Sequence, residues 1–416
     1  MMTGDTQGVR RADGPDRSPS WKRGGVAGEQ LLAVLAYARE REYTGWDLYD
    51  GESSRLLRAL PVDSKWLNIA VQQVVRRAPV NVRPLLLVEQ RRNFMGGALF
   101  ALANFAAADL TGRAEYRTEG VRLAEWLLEQ DREGYRGYCG GHNHPVQGLD
   151  RRTPVAEPGV VGTAQAVRAL LAADDHTDGG RFAERARTAA TFVVAELDYE
   201  EVPTGARLKY KPDESGDSNT YTLNANALGA RLLLDLYARF GDRCYHDRAA
   251  AVLEYVAAHQ TDRGGWHYCA DPAASHLSMD NFHNGFIIEA FLRYRELCSG
   301  RFDETVDRAL GFYRGLFDPD GEPRWDEQSA YPRDVHASAQ GLVVFSRLGE
   351  TDTCRRILEW VVSELSDGQG RFYHEKRRLF TKRTTLMRWC QAWMAYALGA
   401  YLRQVGPLPD HHFGHR

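Results

Sequence analysis

The sequence predicts an all-α protein built from six helical hairpins that close into a double ring. Between residues 91 and 405, helices that are apolar nearly all round alternate with amphipathic ones, and the pairs recur every 53 to 66 residues. Most pairs end in a Gly-aromatic turn, such as Gly264-Gly265-Trp266-His267-Tyr268. A period of this size indicates a helical repeat. Because an all-apolar helix must be covered on every side, we expect the six apolar helices to form the inner ring.

The chain divides into four segments. Residues 1–26 are polar and rich in Gly, Arg and Asp, which predicts a disordered tail. Residues 27–90 are expected to form a helical extension packed on the ring, with one helix over 29–41 and a second from the N-cap Ser64 to about Arg77. Residues 91–405 are predicted to form the ring itself, and residues 406–416 are predicted to form a C-terminal tail.

Hydrophobic periodicity gives the individual helices of the ring. The predicted inner helices cover 93–108, 159–173, 219–240, 281–297, 334–348 and 387–402. The predicted outer helices cover 116–130, 182–197, 245–259, 303–317 and 353–365.

Composition excludes several classes of function. The formal net charge of −3 gives no overall attraction to nucleic acid or to an anionic membrane. The sequence has no run of about 18 apolar residues, so we expect no integral membrane segment. The first 26 residues lack the apolar core of a secretory signal. The six cysteines are scattered without a C-x-x-C pair, which indicates reduced thiols and a cytoplasmic protein. Oligomeric state cannot be deduced from these properties.

Six apolar helices, each preceded by a polar loop, resemble the (α/α)6 toroid over roughly residues 90–405. Six-hairpin glycosidases, polysaccharide lyases, sugar epimerases, terpenoid cyclases and protein prenyltransferases share that fold. The segments 372–373, 388–393 and 280–286 also look like parts of poorly characterised prokaryotic proteins associated with surface-polysaccharide biosynthesis. The resemblance implies a ligand site at the mouth of the ring, where the inner helices begin.

Polar side chains are concentrated at these helix starts. If the starts converge, the candidate catalytic residues are Asp280, His283, Asp334, His336 and Tyr221. The candidate substrate-binding residues are Asn93, His142, His144, Asn224, Asn281, Asn284, Arg388, Trp389 and Gln391. Sugar sites need aromatic planes and fixed polar groups. Helix capping is the competing explanation for single residues such as Asn93, Asn219 and Asp334.

Two chemistries fit these candidates. Asp280 and Asp334 head consecutive repeats, and two carboxylates on neighbouring helices could act as acid and base in glycoside hydrolysis. Alternatively, His283 or Tyr221 could remove the proton beside the carboxylate of a uronic acid, while Arg388 stabilises the developing charge. His336 is the repeat equivalent of His283 and belongs to the second set.

Other motifs are weaker. Cys139, His142 and His144 could meet at a zinc ion, but no fourth ligand is evident, so we expect no metal and no cofactor. The basic run 376–383 is either a solvated hairpin or, at the mouth, an attractor of an anionic glycan. We therefore expect an enzyme of glycan or polysaccharide metabolism, either a hydrolase or a uronate lyase or epimerase. The alternatives are a non-catalytic glycan-binding scaffold and, less well supported, an isoprenoid-active toroid.

Overall fold

The computed structural model describes residues 25–61, 64–148, 151–212, 221–298 and 300–405. The predicted tails 1–26 and 406–416 lie outside these ranges, apart from Gly25 and Val26, and so does the predicted helix start at Asn219. The helices are α1 Val26–Arg39, α2 Arg55–Ala59, α3 Lys65–Arg77, α4 Phe94–Thr111, α5 Ala114–Glu129, α6 Val160–Asp175, α7 Arg181–Arg187, α8 Ala189–Ala195, α9 Leu223–Phe240, α10 Arg243–Ala258, α11 Asn281–Leu297, α12 Asp303–Arg314, α13 Val335–Arg347, α14 Thr351–Leu365 and α15 Trp393–Val405. Short 3-10 turns cover Gly51–Ser53 and Pro272–Ala274, and a π-helical turn, Met387–Ala392, leads into α15.

The short strands form four small antiparallel sheets at the ends of the helices. They are β1 Thr44–Gly45, β2 Arg91–Arg92, β3 Val146–Gln147, β4 Arg152–Thr153, β5 Glu200–Val202, β6 Gly205–Arg207, β7 Arg333–Asp334, β8 Glu375–Lys376 and β9 Thr381–Lys382. The pairs are β1 with β2, β3 with β4 and β5 with β6, and β8 lies between β7 and β9. These sheets fix the loops around the mouth of the ring.

Six inner helices close on one another in chain order. The helices α4, α6, α9, α11, α13 and α15 each pack against the next, and α15 packs against α4. Their surfaces are buried almost throughout, as the all-apolar pattern predicts. Among the described helices, α4 alone is long and apolar enough to cross a membrane, but 78% of it is buried inside the protein. Its apolar surface is therefore used by the core.

The outer ring is completed by the beginning of the described chain. The outer partners of the first five inner helices follow them directly in sequence, whereas α1 packs against α15 and α4. Buried Leu31, Val34 and Leu35 form the inward face of α1. Gln30 Nε2 also donates a hydrogen bond to Gly368 O, 3.0 Å away and 338 positions along the chain. The predicted extension thus supplies the sixth outer helix.

The second outer helix is divided, although the sequence predicts one helix over 182–197. The helices α7 and α8 meet at Thr188, whose hydroxyl donates to Arg185 O and accepts from Tyr138 N. A Cβ atom on Gly137 would lie 2.1 Å from Thr188 O. The preceding Gly-aromatic turn therefore packs directly against the backbone at the break.

Side-chain amides fasten three of the Gly-aromatic turns to the inner helices. Asn284 accepts from Trp266 N at 2.8 Å and donates to Trp266 O at 3.0 Å. The same two bonds join Asn226 to Leu208 and Gln391 to Phe372. Each amide satisfies a buried backbone donor and acceptor at once, so these positions hold the repeat together.

A buried charge cluster crosses the inner ring about halfway along its helices. Glu289 of α11 accepts from Arg231 Nη1 at 2.7 Å and from Gln340 Nε2 at 3.2 Å. Arg168 and Arg347 lie 3.4 Å from the same carboxylate. Although burial opposes ionisation, these three arginines, with Arg231 first, lower the pKa of Glu289 to about 2. The cluster links four inner helices through charges that must all remain paired.

Residues between α1 and α4 cover one end of the ring. Arg83, itself buried, binds Asp50 through Nε at 2.8 and 2.9 Å and donates from Nη2 to Asp47 O at 2.7 Å. Strand β1 pairs with β2, which joins both ends of this covering segment, residues 44–92. These contacts fasten the segment at the end where the inner helices begin.

Candidate active site

A cavity of about 490 Å³ lies where the inner helices begin, beneath the covering segment. Its aromatic lining consists of Tyr49, Tyr210, Tyr268, Phe282, Phe286, Trp325, Trp389 and Trp393. Its ionisable lining consists of Arg76, Arg77, His142, His276, His283, Asp334, His336, His374, Glu375, Arg377 and Arg388. Aromatic walls with a few converging polar groups are typical of small-molecule sites.

The structure brings half of the sequence-predicted site residues into this lining. They are His142, Asn224, His283, Asp334, His336, Arg388 and Trp389. The others lie outside it: Asp280, Tyr221, Asn93, His144, Asn281, Asn284 and Gln391. The mouth of the ring is therefore where the predicted residues converge, but neighbouring positions on one helix have different roles.

Asp280 and His283 form a dyad at the start of α11. Asp280 is the N-cap: its Oδ1 accepts from His283 N at 3.1 Å, and its Oδ2 accepts from His283 Nδ1 at 2.7 Å. The carboxylate is buried and the imidazole lines the cavity. An ionised Asp280 accepts the proton of His283 Nδ1, and in that neutral tautomer of the imidazole the lone pair lies on Nε2.

His336, at the first turn of α13, is held by stacking rather than by hydrogen bonds. Its ring lies between Phe282, 4.7 Å away at 14°, and Trp393, 4.5 Å away at 26°. Neither ring nitrogen has a hydrogen-bond partner within the described part of the chain. Burial, together with the charges of Arg388 and His283, holds the pKa of His336 well below its ordinary value. The ring is therefore neutral, with two polar atoms available to a ligand.

Asp334 and His374 form a second carboxylate–histidine pair in the cavity wall. His374 Nε2 lies 3.5 Å from Asp334 Oδ2, and strand β8 carries His374's neighbour Glu375 opposite Asp334. Trp389 Nε1 donates to both oxygens of Asp334, at 2.9 and 3.1 Å. The Nδ1 atom of His374 is buried without a partner among the described residues.

Asp334, His374 and Glu375 are also spaced closely enough to hold a metal ion, with ligand atoms within 4.8 Å of one another. However, Asp334 already accepts from Trp389, and Glu375 Oε1 accepts from Arg377 Nε at 2.8 Å. A positive guanidinium beside the same carboxylate opposes the binding of a cation. The donor set fits an ion-paired wall better than a metal centre.

Arg388, in the π-helical turn, is anchored by the covering segment. Its Nε and Nη2 bind Asp47 Oδ2 and Oδ1 at 2.8 and 2.5 Å. Although burial alone would raise the pKa of Asp47, Arg388 lowers it well below its ordinary range. Burial and the charge of Arg388 also lower the pKa of His142 to about 3. This part of the wall is therefore a fixed ion pair beside a neutral imidazole.

Most predicted residues outside the lining have structural partners instead. Asn93 caps α4 by accepting from Gly96 N at 3.1 Å. Asn281 donates to Leu316 O at 3.2 Å, and Tyr221 lies beneath the guanidinium of Arg207.

The Cys139–His144 motif does not gather a zinc ligand set. Ser53 Oγ lies 2.8 Å from His144 Nδ1, whereas Asn93 Nδ2 lies 3.2 Å from His142 Nδ1. Burial raises the pKa of Cys139 to about 12, so its thiol stays protonated.

Comparison with solved structures identifies the architecture. No family model matches the sequence, and no curated protein sequence matches it. A cellobiose 2-epimerase from Bacillus thermoamylovorans is similar over 76% of this chain and 88% of its own, with a TM-score of 0.59 and 14% identity. The chain is an (α/α)6 toroid. An unsaturated glucuronyl hydrolase specific for heparin is similar over 92% of this chain and 97% of its own, with a TM-score of 0.58 and 12% identity. A GH76 α-mannanase from Bacteroides thetaiotaomicron is similar over 75% of this chain and 86% of its own, with a TM-score of 0.56 and 13% identity.

These similarities confirm the predicted all-α (α/α)6 toroid. At such low identity they establish the fold alone. The reaction must be argued from the side chains of the cavity.

Sequence reasoning missed several residues of the toroid's cavity. Leu48, Tyr49, Arg76 and Arg77 come from the covering segment, which has no repeat to mark them. Tyr210 and Tyr268 end consecutive Gly-aromatic turns at the same register, so the repeat could have revealed them. His374 likewise follows the fifth such turn directly.

Proposed function

We propose that the protein is an enzyme that moves a proton at a sugar carbon next to a carbonyl or carboxylate group, as an epimerase or isomerase does. The observation that carries this proposal is that two histidines, each beside a buried carboxylate, line one cavity. In such a reaction one base removes the proton, and a second group returns a proton to the intermediate.

His283 is the proposed general base. Asp280 fixes the imidazole and stabilises the charge it gains on accepting a proton at Nε2. The electron pair left on carbon moves to the substrate oxygen, where Arg388 can stabilise the negative charge. His374, supported by Asp334, is the proposed second proton carrier.

Neutral groups hold the sugar in this scheme. His336 and the buried Oδ1 of Asn224 have unpartnered polar atoms within the described chain, and buried polar atoms of this kind are normally hydrogen-bonded. Sugar hydroxyls would satisfy them, while Trp389 and Phe282 supply apolar surfaces for the ring. Glycoside hydrolysis by Asp280 and Asp334 is less well supported, because Asp280 lies behind His283 and outside the lining.

Solvent deuterium exchange tests the proposal. The protein is incubated in D2O with aldoses, ketoses, cellobiose and uronic acids, and proton NMR follows the position beside the carbonyl or carboxylate. We expect one sugar to exchange there while an isomer appears, and His283→Ala and His374→Ala to abolish exchange. His246→Ala is the matched control, because His246 also contacts a carboxylate, Asp247 at 2.8 Å, but lies outside the cavity lining.

Absence of exchange with every sugar, or full exchange by His283→Ala, would contradict the proposal. Sugar binding without exchange would favour a non-catalytic glycan-binding protein. We also propose that this enzyme acts in glycan metabolism, because its proposed substrate is a sugar, and that it is cytoplasmic, because all six cysteines, each in the described part of the chain, are free thiols.

A further inference from the structure

Four arginines line the cavity, and only two of them are paired with carboxylates. Arg377 Nη2 lies 2.7 Å from Glu375 Oε1, and Arg388 binds Asp47. Arg76 and Arg77 have no carboxylate within 4.0 Å among the residues that the structure describes. Their charges are therefore available to something that enters the cavity.

Both unpaired arginines lie in the last turn of α3, within the covering segment. The helix dipole favours cations there, but that interaction does not require them to line a cavity. The Arg76 guanidinium carbon lies 5.4 Å from the ring centre of Tyr49, which also lines the cavity. The aromatic ring orients the guanidinium without neutralising it.

A further cation lies directly behind this pair. Lys382 Nζ donates a hydrogen bond to Arg76 O. Burial lowers the pKa of Lys382 to about 8, so the ammonium is still largely protonated at neutral pH. The two carboxylates in the lining, Asp334 and Glu375, are already engaged by Trp389 and Arg377. The part of the cavity wall at the end of α3, called the rim below, is therefore locally positive, although the whole protein carries a formal charge of −3.

We propose that the cavity binds a sugar carrying an anionic group, a carboxylate or a phosphate, and that Arg76 and Arg77 bind that group. The planar guanidinium fork matches the geometry of both anions. A positive rim around a recessed cavity also concentrates anionic ligands by focusing the field. This inference rests on the proposed function in one respect: the anionic sugar is taken to be the substrate of the two histidines.

Calorimetric titration with defined probes tests the anion site. Glucuronate and galacturonate represent carboxylates, glucose 6-phosphate and mannose 6-phosphate represent phosphates, and glucose is the neutral reference. At least one anionic sugar is expected to bind more tightly than glucose, and more weakly as salt is added. Comparison of the affinities for the carboxylate sugars and for the phosphate sugars identifies which anion is recognised.

Variants of the arginines locate the contact. Arg76→Ala and Arg77→Ala are each expected to weaken binding of the anionic probe by roughly ten-fold or more, the usual cost of losing a charged hydrogen bond. Glucose binding should not change, and Arg77→Lys should recover part of the loss. Arg378→Ala is the control, because Arg378 is exposed and outside the lining. Circular dichroism confirms that each variant is folded.

Equal binding of anionic and neutral sugars, or unchanged binding by the Arg76→Ala/Arg77→Ala double variant, overturns the anion site. His283→Ala separates this inference from the proposed function, because it should abolish exchange and retain anion binding. Exchange that does not depend on the arginines overturns the inference alone. Arginine-dependent binding without any exchange overturns the proposed function alone.

Discussion

Replacement of Asp280 by asparagine separates its two roles, capping α11 and orienting His283. Asparagine caps a helix about as well as aspartate, so the bond from His283 N to Oδ1 can persist. The amide NH2, however, replaces the oxygen that accepts from His283 Nδ1 at 2.7 Å. Two donors would then face each other unless the proton moves to Nε2, where it blocks the proposed base.

The expected loss of rate is therefore large and the loss of stability small. A wrong histidine tautomer in a comparable carboxylate–histidine pair costs about 10⁴-fold in rate, or roughly 5 kcal/mol at about 1.36 kcal/mol per factor of ten. The free energy of unfolding should change by less than about 1 kcal/mol, because the cap is kept.

Deuterium exchange and urea unfolding measure these two quantities on the same sample. The control is Asp242→Asn, because Asp242 also caps its helix, accepting from Cys244 N at 3.0 Å, but lies outside the cavity lining. An Asp280→Asn variant that exchanges within ten-fold of the wild-type rate would refute the positioning role. A variant that loses several kcal/mol of stability would show that the effect on rate is structural.

Two further predictions concern the ring itself. Glu289→Gln should lower the free energy of unfolding by roughly 3–5 kcal/mol, because the buried arginines around Arg231 lose their counter-charge. Because the pKa of Glu289 is lowered from 4.5 to about 2, its stabilising effect is complete above about pH 4.5 and is lost as pH falls toward 2. Urea titrations across that pH range should show the free energies of unfolding of the wild type and of Glu289→Gln converging as the pH falls. A difference that stays constant with pH would contradict the prediction. Gly285→Ala should cost roughly 1–3 kcal/mol, because its Cβ would lie 2.2 Å from Gln340 Cγ in the neighbouring inner helix. Gly311→Ala, whose Cβ would meet nothing within 4 Å, should instead stabilise α12 by roughly 0.5–1 kcal/mol; equal melting temperatures for the two variants would refute the packing argument.

The starts of the inner helices could be predicted because their signals are local. Asn93, Asp280 and Asp334 are each followed by an apolar run, and each caps its helix in the structure. Capping residues and hydrophobic periodicity act over a few positions, so a single sequence contains the necessary information. The period then predicted a closed ring, because six such hairpins can close on themselves and cover the all-apolar helices.

The roles of adjacent polar residues could not be predicted in the same way. His283 lines the cavity, whereas Asn284 binds the backbone of Trp266. One residue corresponds to a rotation of about 100° around a helix axis, and the orientation of α11 in the ring decides which side chain faces the ligand. That orientation depends on packing between distant segments.

The residues that the covering segment contributes to the cavity also could not be predicted from the sequence. Asp47 meets Arg388 across 341 positions of sequence, and nothing near either residue indicates the other. In the sequence, Arg76 and Arg77 have the ordinary position of cations in the last turn of a helix. Only the structure shows that this helix end lines the cavity. Non-repeating parts of a repeat protein carry no internal copy against which a functional residue stands out.

The packing of α1 against α15 has a consequence for how the cavity is completed during folding. Five hairpins can form between helices that are neighbours in sequence as the chain is synthesised. The sixth pair, α1 with α15, joins helices more than 300 positions apart, and contacts of such long sequence separation form slowly. The turn that leads into α15 holds Arg388 and Trp389. A chain arrested before that last helix would therefore be largely helical and yet have an unfinished cavity wall, so the proposed reaction would begin only when the ring closes.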